Sequence, residues 1–313
     1  MMKMLITGGA GFIGSHLADL LVSKNYDMVV VDNLSLGTIK NINHLANHKK
    51  FRFIKEDLLR LDPLKNIFRK NKFDTVFHLA ANSDIQNSAG NPEIDLENTF
   101  LATWNLLECC RLFCVNKFVF ASSSAVYGGT TRKLSEASGP LSPVSYYGAG
   151  KLASEGFICA YSSMNDIQAW IVRFPNVVGE RATHGVIHDF IKKLKSNPKQ
   201  LTILGDGRQK KPYLYVKDLV EAVFFVYQTA QERLNYYNVG AEDQTTVTRI
   251  AKIVCEEMQL SHVKLNYTGG KTGWRGDVPH FKYSLNKINS LGWKARYSST
   301  EAVRLAVRSI LSK

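Results

Sequence analysis

Residues 146–151 read Tyr-Tyr-Gly-Ala-Gly-Lys and set Tyr147 four residues before Lys151. That spacing is about one helical turn, so phenol and ammonium share a face. A free tyrosine titrates near pH ~10 and is a poor base at neutral pH. A neighbouring cation favours the phenolate, which lets Tyr147 take a proton from a hydroxyl. Twenty residues before it, 118–128 read Phe-Val-Phe-Ala-Ser-Ser-Ser-Ala-Val-Tyr-Gly, an apolar strand running into a serine cluster that contains Ser123 and Ser124. A strand-end serine beside a helix-borne tyrosine is suited to hold and deprotonate a carbinol.

A second constellation says where the electrons go. Gly8, Gly11 and Gly14 follow a short apolar run and open a helical pattern, with Phe12 and Ile13 between the last two glycines. Missing Cβ atoms allow a tight turn and close approach of a pyrophosphate, which the first helical amides stabilise. Asp32 ends the next apolar run, 18 residues after Gly14, where a carboxylate accepts hydrogen bonds from both adenosine ribose hydroxyls and repels a 2′-phosphate. No arginine adjoins it, so the expected cofactor is NAD rather than NADP. The positive charge of oxidised nicotinamide favours the Tyr147 phenolate further, and hydride leaves the carbinol as the proton does.

The elements that must position these groups alternate. Residues 4–7, 28–31, 51–54, 75–79, 118–120 and 167–173 are short continuous apolar runs, with helical patterns over 93–114 and 147–164. Buried strands separated by helices predict an α/β fold, a Rossmann-type doubly wound parallel sheet. Helical patterns at 184–196, 217–231, 246–259 and 300–312 and glycine-rich turns near 205–207 and 269–276 predict a smaller mixed α/β C-terminal lobe. The expected division is 1–174 for the NAD-binding domain, with a return segment near 212–231, and 175–313 mainly for substrate, the two lobes packed closely around a cleft.

Composition bounds the class. With 313 residues, 45% apolar and 21% charged, the chain is long enough for a core without disulfides and is neither disordered nor fibrous. Forty basic against 27 acidic residues give a net charge of +13, which favours anionic partners. The basic residues are scattered, with no stripe interleaved with aromatics, so nucleic acid is not expected. Residues 1–7 run straight into Gly8-Gly9, with no signal-peptide region, and no run of ~18 apolar residues is present to span a bilayer. The five cysteines, Cys109, Cys110, Cys114, Cys159 and Cys255, lack zinc-type spacing. Buried reduced thiols and a cytoplasmic location are the expectation.

Further motifs occur in order: Asp32-Asn33, Asp57-Leu58, His78-Leu79-Ala80-Ala81, Val126-Tyr127-Gly128, Arg173-Phe174-Pro175-Asn176-Val177-x-Gly179, Gly205-Asp206-Gly207, Val216-x-Asp218 and Arg275-Gly276-Asp277-Val278. Together with the glycine and tyrosine motifs they resemble the extended short-chain dehydrogenase/reductase family, in particular its nucleotide-sugar epimerases and dehydratases, over nearly the whole chain. The resemblance implies that Tyr147 is the base, that Lys151 is its partner and binds the nicotinamide ribose, and that Ser123 bonds the reacting sugar oxygen. It adds Asn33, Asp57, Leu58, Ala80, Ala81, Tyr147 and Pro175 to the NAD contacts. Ser83, Ser124, Asn176, Lys211, Arg275 and Phe281, with Ser123 and Tyr147, become contacts of a nucleotide-diphosphate sugar. A homo-oligomer, dimer or higher, formed through 93–114 and 147–164, matches the family habit. Two positions depart from it. Lys211-Pro212-Tyr213 stands where the family has Arg-Asp-Tyr, keeping the charge but losing the bidentate fork. Trp274 stands where a phosphate arginine is usual, with Arg275 one place later. The nucleotide base stays open.

Between Ser123 and Tyr127 the family's dehydratases and decarboxylases carry an acidic residue, and its 3,5-epimerases a cysteine. Here the places hold Ser124, Ala125 and Val126, which leaves oxidation at C4. The expected reaction is 4-epimerisation through a transient 4-keto sugar. The alternative is a C4 dehydrogenase of a nucleotide-linked hexose or heptose with net 4-keto product. A non-catalytic NAD-binding regulator is a remote alternative, since both Tyr147 and Lys151 are present. His184 and His188 lack the glutamate of a zinc hydrolase motif, and no metal is expected. His78 at a strand end reads as structural.

Overall fold

The apolar runs of the first half become the interior of one sheet. The computed structural model describes residues 2–129, 133–270, 272–273, 278 and 280–312. Seven strands, β1 (Lys3–Thr7), β2 (Asp27–Asp32), β3 (Phe51–Lys55), β4 (Thr75–His78), β5 (Lys117–Ser123), β6 (Gln168–Phe174) and β7 (Leu234–Asn238), lie in the order β7-β6-β5-β4-β1-β2-β3. The pairings of β1 with β2, β2 with β3, β1 with β4 and β4 with β5 are parallel, with Leu5 opposite Val29 on one side and Val76 on the other. Chain order reverses between β1 and β4, and such a switch point opens a crevice at the strands' carboxyl ends.

Helices cover both faces, as continuous apolar strands require. On one face Leu5, Val29, Phe118 and Ile171 pack with Leu64 and Phe68 of α2 (Leu61–Asn71), Leu106 of α3 (Ala102–Leu112) and Ile158 of α4 (Tyr146–Asn165), all buried. On the other, Tyr227 meets Phe77 and Trp170 edge-on at 5.2 and 5.1 Å, and the Trp170 indole donates to the Ala230 carbonyl. The helix after β1, Phe12–Ser23, is termed α1.

The chain divides into two compact units: Met1–Gly128, Gly139–Arg173 and Val220–Tyr237 form the first, and Gly129–Ser138, Phe174–Leu219 and Asn238–Lys313 the second. The stretch Val220–Tyr237 of the first unit carries β7 into the sheet. The second unit is mixed α/β. It pairs Gln200–Ile203 with Lys264–Tyr267, and Asn176–Val178 with Tyr213–Tyr215, each in parallel. Helices Val186–Ser196, Val247–Glu257 and Ser299–Leu311 pack their apolar faces together through Phe190, Leu194, Ile250, Val254, Val303 and Val307. Helix Ser299–Leu311 starts at a Ser298/Glu301 capping box.

Three expectations are corrected. The single helix over 93–114 is instead a short turn Glu93–Asp95, a π-helix Leu96–Leu101 and α3. The Thr99 carbonyl is taken by the Thr103 and Ser154 hydroxyls, so side chains enter the backbone ladder where the helix widens. The helix expected from 184 starts at Val186, since Gly185 at φ +103° breaks it. Cys114 is exposed at φ +54°, unlike buried Cys109 and Cys110, although all five thiols are free.

Candidate active site

The glycine turn is built to bring backbone close to a ligand. Gly8 has φ +69°, and a Cβ there would lie 2.6 Å from the Ala80 nitrogen, while a Cβ on Gly14 would lie 2.2 Å from the Gly8 carbonyl oxygen. No side chain caps α1 at Gly11, and its first turn holds no acid. The amide-rich, positive end of the helix, with Phe12 and Ile13 in its first turn, is therefore kept for an anion. This cradle fits a dinucleotide diphosphate.

Asp32 does more than the sequence suggested. Its Oδ2 accepts from the Ala10 amide at 3.0 Å and its Oδ1 from the Leu34 amide at 2.8 Å, so the carboxylate braces the glycine turn itself. Burial raises its pKa, and the backbone donors of Leu34, Ala10 and Gly11 pull against that rise. A carboxylate offers about four acceptor sites, which leaves capacity for ribose hydroxyls. Beside it the Asn33 amide donates to Asp57 Oδ2 at 2.9 Å, Asp57 Oδ1 accepts from the Leu59 amide, and buried Leu58 gives its carbonyl to Asn105. The structure thus gathers Asp32, Asn33, Asp57 and Leu58 at the carboxyl ends of β2 and β3. Ala80 and Ala81 follow β4, where Ala80 backs Gly8. Ser83 is exposed in the loop beyond.

Ser123, Tyr147 and Lys151 are also brought together. Ser145 caps α4, its hydroxyl accepting from the Gly148 amide, so Tyr147 stands in the first helical turn. The Ser123 hydroxyl lies near enough to the Tyr147 phenol to oppose the rise in its pKa. Lys151 is buried one turn on, donating to the Ala121 carbonyl at 2.7 Å, with its Nζ 5.8 Å from the Tyr147 ring centre. Gly150 permits this packing: a Cβ there would lie 3.1 Å from the Asp95 carbonyl oxygen and 3.3 Å from Thr99.

The electrostatics correct one expectation. The phenol is not lowered by its lysine: burial pushes Tyr147 up to about 12, the Ser123 hydroxyl opposes the rise, and the Asp95 carboxylate adds to it. Lys151 is brought down to about 7, also by burial, against the pull of Glu155 and Asp95. Desolvation disfavours both charges. The pocket is therefore poised, needing positive charge beside the phenol before the phenol can ionise.

Several groups around the trio were not singled out from sequence. Asp95 is buried, its Oδ1 accepting from Asn82 at 3.0 Å, while its Oδ2 has no hydrogen-bond partner among the described residues. Glu155, one turn beyond Lys151, takes both arms of Arg173 at 2.9 and 2.6 Å and the Ser122 hydroxyl at 2.5 Å. A sequence signal existed for Glu155, since it continues the four-residue spacing of Tyr147 and Lys151. His78, structural as expected, bridges Thr7 at 2.7 Å and Thr103 at 2.9 Å. Its pKa is held well below the ordinary value by burial and then by the Lys151 charge.

The remaining expected contacts belong to the second unit. Pro175 is buried, Asn176 is exposed at the start of a short strand, and Lys211 is half-buried, pairing with Thr245 across the Lys210–Lys211 and Thr245–Thr246 strands. Phe281 is buried, packing edge-on against Tyr283 at 5.5 Å. Arg275 lies outside the described residues, as do Trp274 and Asp277. His184 precedes the helix that carries His188, so the two do not share a helix face. Among the described residues no group of three His, Cys, Asp or Glu side chains is placed to hold a metal ion, and no helix is long and apolar enough to cross a membrane.

Ser124 to Tyr127 form one 3₁₀ turn, capped by the Ser123 hydroxyl, which accepts from the Ala125 amide at 3.2 Å. Its Val126 is fully buried, and neither Ser124 nor Ala125 bears a carboxyl or thiol.

Comparison with known proteins agrees with this geometry. The model of the NAD dependent epimerase/dehydratase family matches residues 4–240. A putative UDP-glucose 4-epimerase of Methanocaldococcus jannaschii is 34% identical over 309 residues, 97% of each chain. The dTDP-D-glucose 4,6-dehydratase of Mus musculus is 31% identical over 314 residues, 97% of this chain and 87% of that one. The crystal structure of a UDP-galactose 4-epimerase, 36% identical, superposes with a TM-score of 0.88 over 99% of both chains.

Proposed function

The chain belongs to the NAD dependent epimerase/dehydratase family, and we propose that within it the protein is a 4-epimerase of a UDP-linked hexose. It is an NAD-dependent enzyme of nucleotide sugars. NAD, when bound, accepts hydride from the carbinol carbon and returns it, and its positive ring supplies the charge that the Tyr147 pocket needs. Gly8, Gly11, Gly14 and the start of α1 hold its diphosphate, and Asp32 holds its adenosine ribose.

The protein's own residues then handle the proton. Ser123 fixes the C4 hydroxyl by a hydrogen bond, and the Tyr147 phenolate removes the proton to its Oη. Lys151, when protonated, sets positive charge beside the phenolate and orients the nicotinamide ribose. When the 4-keto sugar has turned its other face, Tyr147 gives the proton back and the inverted alcohol leaves. Ser83 and Ser124 of the first unit serve the sugar.

The observation that carries 4-epimerisation over 4,6-dehydration is the turn at 124–126. Elimination across C5 and C6 needs a group to remove and return a proton, and Ser124, Ala125 and Val126 offer neither carboxyl nor thiol. The test is incubation with UDP-glucose, UDP-galactose, dTDP-glucose and GDP-mannose, following product by proton NMR, NADH by absorbance, and solvent deuterium. Interconversion of the UDP-hexoses, without net NADH and without deuterium, is expected. Accumulating NADH would identify a C4 dehydrogenase instead, and deuterium on C5 would overturn chemistry confined to C4.

The same reading includes a dimer through α4 and the Leu96–Leu112 stretch, supported by Phe157, Met164, Leu96 and Leu112, large apolar side chains that stay exposed. A cytoplasmic location fits the supply of NAD and nucleotide sugars and the five free thiols.

A further inference from the structure

Three successive residues at the end of β5 are tied to three successive turns of α4. Ser123 lies beside Tyr147, the Ala121 carbonyl accepts from Lys151 at 2.7 Å, and the Ser122 hydroxyl donates to Glu155 at 2.5 Å. The first two ties involve the catalytic trio. The third involves a carboxylate with no part in proton or hydride transfer, and yet it is the most heavily bonded of the three. Glu155 also receives Arg173 through Nε and Nη2, with the Arg173 and Glu155 side chains 4% and 2% exposed.

Arg173 extends the tie to the other end of the serine turn. Its Nη1 donates to the Tyr127 hydroxyl at 3.0 Å, and its guanidinium lies over the Tyr127 and Tyr236 rings, 4.9 Å from each centre. Tyr127 closes the 3₁₀ turn that Ser123 caps. Glu155 therefore grips the turn from both sides, through Ser122 before Ser123 and through Arg173 and Tyr127 after it. A buried ion pair is a poor source of stability compared with an apolar pair of similar volume. What it supplies is direction, because charge-assisted forks tolerate little displacement.

We propose that Glu155, Arg173, Ser122 and Tyr127 form a positioning cluster that fixes the register of β5 against α4 and thereby sets how Ser123 meets Tyr147. The proposal rests on the proton transfer assigned to Tyr147 above. It adds that these residues act through Ser123 and Tyr147 without touching substrate or cofactor.

The test uses the full chain with Tyr127→Phe and Glu155→Gln, which remove one hydroxyl or one charge at nearly constant volume. Tyr227→Phe serves as the comparison, since it deletes another buried tyrosine hydroxyl, bonded to Thr75 at 3.0 Å and remote from the trio. In Tyr127→Phe and Glu155→Gln, kcat is expected to fall about ten- to a hundredfold, as small misplacements of reacting groups do, with KM and the NAD dissociation constant within about twofold. Tyr227→Phe should retain kcat. Full kcat in Tyr127→Phe overturns the proposal while leaving the Tyr147 chemistry intact. A Tyr147→Phe variant that keeps full turnover instead overturns the chemistry.

A second readout needs no turnover. In protein labelled with carbon-13 at tyrosine Cζ, the Tyr147 resonance, assigned by its loss in Tyr147→Phe, should move in Tyr127→Phe and Glu155→Gln but not in Tyr227→Phe. A resonance unmoved in both cluster variants overturns the proposal even if no substrate is found.

Discussion

Gly8 and Ala80 meet through bare backbone, with no space between them for a single methyl group. Gly8→Ala puts its Cβ 2.6 Å from the Ala80 nitrogen and also forces alanine to φ +69°. The left-handed conformation alone costs about 1–2 kcal/mol, and relief of the clash must part β1 from the loop after β4. NAD affinity is expected to fall at least about tenfold, a loss of ~1.4 kcal/mol. Fluorescence titration with NAD checks this, and unchanged affinity in a folded Gly8→Ala variant contradicts the cradle.

Tyr147→Phe keeps the ring and deletes only the hydroxyl proposed as the acid–base group. Proton transfer by a positioned side chain contributes about 10²- to 10⁴-fold, so kcat should drop in that range. NAD binding should persist, because the diphosphate and adenosine contacts lie elsewhere. Isothermal titration with NAD beside a turnover assay separates the two effects. Loss of binding together with turnover would mean that the phenol has a different task.

Lys151 gives a stability signature in the protein without ligand. Its folded pKa is lowered to about 7 from an ordinary 10.5, chiefly by burial. Between those values the unfolded chain carries a proton that the folded chain has released, so stability rises with pH over that window. Below pH 7 both states are protonated, and the burial cost is present in full. From pH 7 to 9 the gain is of the order of 2 kcal/mol, at ~1.4 kcal/mol per unit of pKa. Tyr147 does not interfere there, since its raised pKa matters only above pH ~10. Urea unfolding at the two pH values should show the rise in the unmodified protein and its absence in Lys151→Met. An equal rise in both would assign the effect to other groups.

The glycine turn, Asp32 and the tyrosine–lysine pair were legible in the sequence because each is local: one turn, one strand end, one helical face. The parallel sheet was legible for the same reason, since β1, β2, β4 and β5 are short apolar runs. Strand β7 was not, because Leu-Asn-Tyr-Tyr-Asn carries neither a continuous apolar run nor a clean alternation. The π-helix at 96–101 was hidden because periodicity over twenty residues hardly registers a single widened turn. The Glu155–Arg173 pair lies 18 residues apart, and only folding brings its charges together. The raised Tyr147 pKa was missed because spacing reports neighbours and not their desolvation.

The exposed apolar side chains of α4 lead to the last prediction. Phe157 stacks edge-on with Phe100 at 5.1 Å and is still 42% exposed, and Met164, two turns on, is 82% exposed. Both lie on α4, in the first unit. A two-fold dimer sets the same patch against itself, so an arginine placed at Phe157 faces its own copy, or a neighbour close to it, across the axis. Burying one large apolar side chain contributes about 1.5–3 kcal/mol, and Phe157→Arg removes that contribution from both subunits while adding like charges to the seam. Light scattering at micromolar concentration should give a dimer mass for the unmodified protein and a monomer mass for Phe157→Arg. Because the NAD cradle and the Ser123–Tyr147–Lys151 trio are complete within one chain, the monomer should still bind NAD. A monomeric unmodified protein, or a Phe157→Arg variant that remains dimeric, would remove this face as the subunit contact.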